Sequence, residues 1–141
     1  PRPQQGGRRI TKGWLRTLDD RECLWYFRFT AVEIIRLRRI LHIPSVIQTQ
    51  NRYVFSGIEG LCLLLARMRD SGDQYRLHTI YDRSQSSISE LFNELTELID
   101  ETWAHLLAFD TDGILAADNL ETYAEAIHEY GAPLNSKIGK I

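Results

Sequence analysis

The segment from Ser84 to Ala108 repeats apolar residues at intervals of three and four, the spacing of one face of an α-helix. The repeating positions are Ile88, Leu91, Phe92, Leu95, Leu98, Ile99 and Leu106. Serines precede the first of these positions, and their side chains can cap a helix N-terminus. We therefore predict that the longest helix of the chain covers this segment and packs one face into a core.

Capping patterns predict further helices. A capping side chain followed three residues later by Glu occurs in the pairs Thr30 with Glu33, Ser56 with Glu59, and Asp118 with Glu121. Helices are expected at about 19–27, with Asp19 or Asp20 as cap, and at about 30–42, 57–68, 73–81 and 118–130. Residues 57–68 are apolar almost all round, which is typical of a central helix. No strand-like alternation stands out, so the predicted fold class is all-α, a compact bundle of about six helices.

Length and composition limit the domain organisation. The 141 residues, 43% hydrophobic and 26% charged, suit one globular domain and leave no room for a second, catalytic one. Residues 1–13 contain few apolar side chains and are predicted to form a flexible basic arm, followed by a helical domain over 14–135. The longest apolar run, 60–66, is shorter than the ~20 residues that span a bilayer, so no membrane segment is expected.

Charge is divided unevenly along the chain. Residues 1–53 carry eleven Arg and Lys against four Asp and Glu, giving +7, whereas residues 54–141 carry six against fifteen, giving −9. The two values sum to the −2 of the whole chain. This polarity indicates either a basic surface that meets phosphates or an acidic partner, or two halves that attract each other.

A pair of predicted helices with a short break at 82–84 is the first functional candidate. In a helix-turn-helix, the N-terminus of the second helix enters the DNA major groove, where polar side chains reach base edges or phosphates. The candidate DNA-contacting residues are Arg83, Ser84, Gln85, Ser86 and Ser87, with Ser89 as an extension.

The charge of the second helix favours a competing interpretation. Its later turns carry Glu90, Glu94, Glu97, Asp100 and Glu101, each of which would repel a phosphate. Only the first turn is then suited to DNA. Alternatively, the serines are simply the polar N-terminus of a bundle helix.

Basic residues near the N-terminus are the second candidate. The group consists of Arg8, Arg9, Lys12 and Arg16, and such arms bind nucleic acid by neutralising phosphates or by entering a minor groove. The alternative is a solvated tail without a specific role. Arg36, Arg38 and Arg39 would either extend this basic surface or pair with the acidic long helix.

Catalytic and metal-binding patterns are not apparent in the sequence. The histidines His42, His78, His105 and His128 fall on four different predicted helices, without metal-ligand spacing. Cys23 and Cys62 lie among apolar neighbours and are predicted to be reduced core residues. We therefore expect no enzymatic activity, no metal and no cofactor.

Five blocks of sequence occur in a defined order: Asp19–Phe29, Phe55–Arg67, Asp82–Ser89, Phe92–Glu94 and Leu120–Leu134. Together they resemble the helical region that precedes the nuclease domain in PIF/Harbinger-type DDE transposases. The likeness covers roughly residues 17–135. It implies helix-turn-helix-like DNA binding at 73–95, a nuclear location, and a separate Myb-like DNA-binding protein as a partner.

In that family the next segment leads to the first catalytic aspartate, which with two later carboxylates would bind two divalent metals for phosphoryl transfer. Here the chain reads Asn135–Ile141 without that aspartate, so residues 136–141 are interpreted as a truncated tail. The expected function is a non-catalytic DNA-binding accessory domain of a transposase-derived protein. The alternative is a protein-interaction or dimerisation module, such as a homodimer, that uses the acidic long helix or the aromatic segment 25–29.

Overall fold

A computed structural model describes residues 7–70, 74–107 and 112–131, and the chain divides into two compact units, Pro1–Ala104 and His105–Ile141. The first unit contains α1 (Lys12–Thr17), α2 (Asp20–Phe27), α3 (Ala31–Ile40), β1 (Val46–Gln48), β2 (Val54–Ser56), α4 (Gly57–Arg69), α5 (Gln74–Tyr81) and α6 (Gln85–Trp103). A 3-10 helix, Ala104–Leu107, follows α6. The described part of the second unit contains α7 (Ala117–Glu129).

Local capping fixes the starts of α2 and α3. Asp19 and Thr30 each form a capping box, with Glu22 and Glu33 respectively. Each box satisfies backbone N–H groups that have no partner within the helix, so the helix begins at that residue. The predicted box at Thr30 and the predicted cap at Asp19 are confirmed.

The central position predicted for α4 is confirmed. Most of its residues are buried, and it packs against α2, α3, α5, α6 and both strands. Gly60 allows a close approach of neighbouring elements, because a Cβ there would lie 2.8 Å from Ile47 Cδ1 and 3.3 Å from Leu91 Cδ1. The glycine therefore lets the sheet and α6 share one face of α4.

A small antiparallel sheet departs from the all-α prediction. β1 and β2 pair with Ile47 opposite Phe55, and both of these side chains are buried while their strand neighbours are exposed. Each strand has only three residues, so its alternation is too short to be distinguished in sequence. The described chain is thus mostly helical with a two-stranded sheet, and the all-α prediction holds only in its coarser form.

Residues 8–13 of the expected flexible arm pack on the first unit. Ile10 is only 1% exposed, and α1 begins at Lys12 with Thr11 as its cap. Gly7 forms a β-bridge with Tyr81. Because Ile10 supplies an apolar anchor, this segment differs from the solvated arm that its composition indicates. Residues 1–6 lie outside the described part of the chain.

In the second unit, α7 begins without a side-chain cap. Its N-cap position is Ala116, and Asp118 lies in the first turn, where a negative charge is favourable. The predicted capping box of Asp118 and Glu121 is therefore wrong. Gly131 has a φ of 85° beyond the end of α7, the left-handed conformation in which glycine commonly follows a helix. The predicted tail, 136–141, lies outside the described residues.

Candidate nucleic-acid interface

The predicted pair of helices is present as α5 and α6, joined by Asp82–Ser84. Asp82 has a φ of 50°, a left-handed conformation that Asp adopts more readily than most residues. The carbonyl of Arg83 accepts a hydrogen bond from Nδ1 of the buried His78 on α5. This contact and the packing of α5 on α6 fix the connection.

Arg83 holds this connection against α4. Its Nε and Nη2 donate to Oε1 and Oε2 of Glu59, both at 2.7 Å, and Nη2 also donates to the carbonyl of Val54 at 3.0 Å. The guanidinium carbon lies 4.1 Å from the centre of the Phe55 ring. The side chains of Arg83 and Glu59 are only 12% and 5% exposed. The structure therefore shows Arg83 in a structural role, with little of its side chain exposed for the expected DNA contact.

The same ion pair changes the start of α4. Ser56 accepts a hydrogen bond from the backbone N–H of Glu59 at 3.1 Å, as predicted. The Glu59 carboxylate binds Arg83 and does not return to the backbone of Ser56. Only half of the predicted capping box is therefore formed.

The candidate residues of the first turn of α6 divide into two groups. Ser84 Oγ accepts from the Ser87 backbone at 3.2 Å, and Ser87 Oγ donates to the Ser84 carbonyl at 2.8 Å. Ser87 is buried, so this pair completes the helix cap. Gln85 and Ser86 are exposed, and Ser89 is half-buried. Gln85 and Ser86 are thus the predicted residues of this turn that are open to a ligand.

Two further exposed residues belong to this surface but were missed in the sequence. Asn93 lies eight residues after Gln85, which places both on one side of α6. Arg52 lies in the turn between β1 and β2, where its φ is 64°. Helical spacing from Gln85 could have identified Asn93, whereas Arg52 required the unpredicted sheet.

Glu90 attaches the hairpin turn to α6. Its carboxylate accepts hydrogen bonds from Thr49 Oγ1 at 2.7 Å, from the Asn51 backbone at 3.2 Å and from Asn51 Nδ2. These bonds lower the pKa of Glu90, first through the Asn51 side chain and then through Thr49. The negative charge of Glu90, one of those predicted to repel phosphates, is therefore directed at the hairpin. The same hydrogen bonds hold the turn that carries Arg52 beside α6.

The basic N-terminal segment lies close to the α5–α6 connection. Gly7 pairs with Tyr81, the last residue of α5, and the backbone N–H of Arg8 donates to the Ile80 carbonyl at 3.1 Å. Gly7 has a φ of 114°, and a Cβ there would lie 2.0 Å from the Ile80 oxygen, so only glycine fits. The exposed cationic side chains of this segment are those of Arg8, Arg9 and Lys12. The structure thus brings together the two groups that the sequence suggested separately.

A surface pocket of about 410 Å³ opens where the N-terminal segment meets α3 and α4. Its lining is formed by Arg9, Ile10, Thr11, Lys12, Arg38, Ser45, Ser56, Ile58 and Glu59. Arg38 is held there because its Nη1 donates to the Ile43 carbonyl at 2.8 Å. Among the described residues, no salt bridge joins Arg36, Arg38 or Arg39 to the acidic side chains of α6. We name this cavity the basic pocket, after the cationic side chains of Arg9, Lys12 and Arg38 in its lining.

Over the ranges that the structure describes, no three His, Cys, Asp or Glu side chains are grouped as a metal ion would require. Cys23 and Cys62 are free thiols, both buried as predicted. Burial raises the pKa of the Cys62 thiol above its usual range and also raises that of Cys23. Neither thiol is therefore suited to act as a nucleophile.

No family model, curated protein or solved structure matches this chain. None of the described helices is long and apolar enough to cross a membrane. The contacts around the α5–α6 connection are therefore the basis for a functional proposal.

Proposed function

We propose that the first unit is a non-catalytic DNA-binding accessory domain, in which α5 and α6 act as a helix-turn-helix-like pair. The observation that carries the proposal is the pairing of Gly7 with Tyr81. This pairing holds exposed cations at the end of α5, and only Asp82–Ser84 separate Tyr81 from the exposed Gln85 at the start of α6. The nearness of these cations to the exposed first turn of α6 supports a surface that combines phosphate contacts with groove contacts.

The exposed first turn of α6 is suited to base edges. Gln85 and Ser86 are uncharged, and Asn93 extends the same polar side of the helix. Gln and Asn side chains pair bidentately with adenine, and Ser bonds to several bases, in a major groove wide enough for a helix. Glu90, the nearest acid on α6, is engaged by Thr49 and Asn51.

The N-terminal segment is suited to the DNA backbone. Arg8, Arg9 and Lys12 are exposed, and the bridge at Gly7 fixes where the segment leaves α5. Lys and Arg bind phosphates without sequence preference and release counterions, so they contribute affinity and orientation. Arg52 on the hairpin turn adds a cation beside α6.

The resemblance to PIF/Harbinger-type transposases supports the same proposal. The block Phe55–Arg67 falls on β2 and α4, Asp82–Ser89 on the α5–α6 connection and the start of α6, and Phe92–Glu94 farther along α6. On this basis we propose a transposase-derived protein that acts in the nucleus, with a Myb-like DNA-binding protein as a partner. Such a partner would share the recognition of DNA sequence, which agrees with the small exposed face of α6.

Fluorescence anisotropy with a labelled duplex across a salt series tests the proposal. Binding should weaken steeply as salt rises, because phosphate contacts release counterions. The double variant Gln85→Ala/Ser86→Ala should bind about tenfold more weakly, since a bidentate base contact contributes roughly 1–3 kcal/mol. Thr96→Ala is the matched control, an exposed polar residue farther along α6, and should leave affinity unchanged. Absence of binding at low salt, or equal affinity of the double variant, would refute the proposal.

A second candidate function is protein interaction or homodimerisation. Trp25 on α2 is 64% exposed, and the Arg69 guanidinium carbon lies 4.6 Å from the centre of its ring. Leu24 beside it is also exposed, and exposed aromatic and apolar groups are typical of interaction surfaces. Sedimentation equilibrium distinguishes homodimerisation from the DNA-binding proposal. A molecular mass that rises with protein concentration in the wild type, and stays that of a monomer in Trp25→Gln, would favour homodimerisation.

A further inference from the structure

We propose that the basic pocket binds one phosphodiester group of the DNA backbone. The inference rests on the proposed DNA-binding function and assigns to it a specific phosphate site. The proposed phosphate site combines Arg9 and Lys12 of the N-terminal segment with Arg38, Ser45 and Ser56.

The charges at the pocket favour an anion. Among the described residues that line the pocket, Glu59 is the acidic one, and both of its carboxylate oxygens accept hydrogen bonds from Arg83. The negative charge is therefore compensated from within the protein. By contrast, none of the salt bridges in the described chain involves Arg9, Lys12 or Arg38. The three cations thus remain available to a phosphate.

The pocket also offers hydroxyl groups beside these cations. Ser56 Oγ accepts a hydrogen bond from the Glu59 backbone, which leaves the hydroxyl proton available for donation. Ser45 is exposed, and its carbonyl accepts from the Gly57 backbone at 2.8 Å, so its loop is fixed against the start of α4. Guanidinium, ammonium and hydroxyl donors around one cavity are the groups that bind phosphate oxygens.

The size of the pocket favours a phosphodiester over a free phosphate ion. A volume of about 410 Å³ falls within the range of sites for small organic ligands, roughly 300–1,000 Å³. Ile10 and Ile58 also line the pocket, but both belong to the buried core and expose little side-chain surface to a ligand. A free phosphate ion would leave most of this volume unfilled, whereas the sugars on either side of a backbone phosphate can occupy it.

The position of the pocket connects it to the proposed groove contact. Glu59 lines the pocket and also binds Arg83, which directly precedes the Ser84 cap of α6. A phosphate held in the pocket would therefore lie near the DNA that the first turn of α6 contacts. Such a phosphate would set the orientation of the domain on the duplex, since backbone contacts fix register.

The test compares the salt dependence of duplex binding for the full chain and three variants. Arg38→Gln and Lys12→Gln each remove one pocket cation, and each should lower the slope of log affinity against log salt by about 0.9. Arg36→Gln is the matched control, because Arg36 is an exposed arginine of α3 outside the pocket lining, and it should keep the wild-type slope. Arg38 also donates a hydrogen bond to the Ile43 carbonyl, so Arg38→Gln removes a structural contact as well as a charge. Lys12 does not make this contact, so Lys12→Gln tests the loss of a pocket cation separately.

The outcomes separate the pocket from the wider function. Wild-type binding with unchanged slopes for both Arg38→Gln and Lys12→Gln would overturn the pocket while leaving DNA binding in place. Absence of any wild-type DNA binding would overturn both. A titration with inorganic phosphate, followed by amide chemical shifts, separates the sources of phosphate. Saturation by inorganic phosphate without duplex binding would show a free-anion site and would also overturn the backbone proposal.

Discussion

Replacing Arg83 by alanine tests whether this residue stabilises the fold or contacts DNA. The substitution removes both hydrogen bonds to Glu59, the bond to the Val54 carbonyl and the stacking on Phe55. The Glu59 side chain is 5% exposed and would remain as a buried carboxylate without its cationic partner. Water cannot replace the lost partner without opening the contact between α4 and the α5–α6 connection.

The burial of this pair sets the size of the expected effect. Removing one partner of a buried ion pair costs about 3–5 kcal/mol, because the remaining charge is uncompensated. Domains have total stabilities of about 5–15 kcal/mol, so Arg83→Ala would remove a large share. With a urea dependence of about 1–3 kcal/mol per molar, the unfolding midpoint should fall by about 2 M.

Urea unfolding followed by circular dichroism and tryptophan fluorescence measures this change. Arg76→Ala is the control: Arg76 pairs with Asp70 at 2.8 Å, but these side chains are 68% and 44% exposed. Its loss should cost at most about 1 kcal/mol. The double variant Arg83→Met/Glu59→Leu should be more stable than Arg83→Ala, because no buried charge is left. The reasoning is refuted if Arg83→Ala unfolds within about 0.5 kcal/mol of the wild type.

Two further predictions concern the segments on either side of α6. Gly7→Ala should release the N-terminal segment from Ile80, because the added Cβ would overlap the Ile80 carbonyl oxygen, and duplex binding should weaken. Gly13→Ala is the control, since Gly13 has room for a Cβ, and it should leave duplex binding unchanged. Equal duplex affinities of the two variants would contradict this prediction. The bonds from Asn51 and Thr49 depress the pKa of Glu90, so its stabilisation is present above the unfolded pKa of about 4.3 and is lost as pH falls through the folded pKa. Melting temperatures of wild type and Glu90→Gln should therefore converge at acidic pH, and a constant difference from pH 7 to 3 would contradict the assignment.

Features that depend on near neighbours in sequence were predictable. The cap at Thr30 needs only Glu33 three residues later, and it begins α3 as expected. Ser84 likewise caps α6 through Ser87. Such contacts form within one helical turn, so they can be predicted where no distant partner competes for the capping side chains.

Features that depend on distant partners were not predictable. The pattern of Ser56 and Glu59 is that of a capping box, but Arg83, far along the chain, recruits the Glu59 carboxylate. The same contact removes Arg83 from the candidate DNA surface. A sequence pattern shows that a charge is present near a helix start, whereas burial and pairing decide its role.

The basic pocket also depends on residues that are distant in sequence. Arg9 and Lys12 were identified as a basic group, but their association with Arg38 depends on Ile10 docking in the core. One apolar residue in a polar segment gives a weak sequence signal. Its burial nevertheless converts a row of charges into a defined cavity.

The acidic residues of α6 limit how the domain can approach DNA. Glu94 and Glu97 lie about 14 Å and 18 Å along the helix axis from Gln85, at ~1.5 Å per residue, and Asp100 and Glu101 lie farther on. These separations exceed the Debye length of ~8 Å at physiological salt, so these charges repel a duplex at Gln85 only weakly. If α6 lay flat along the groove, the same acids would face phosphates at close range. The charge distribution thus favours an approach led by the N-terminus of α6, which is the end beside the basic N-terminal segment.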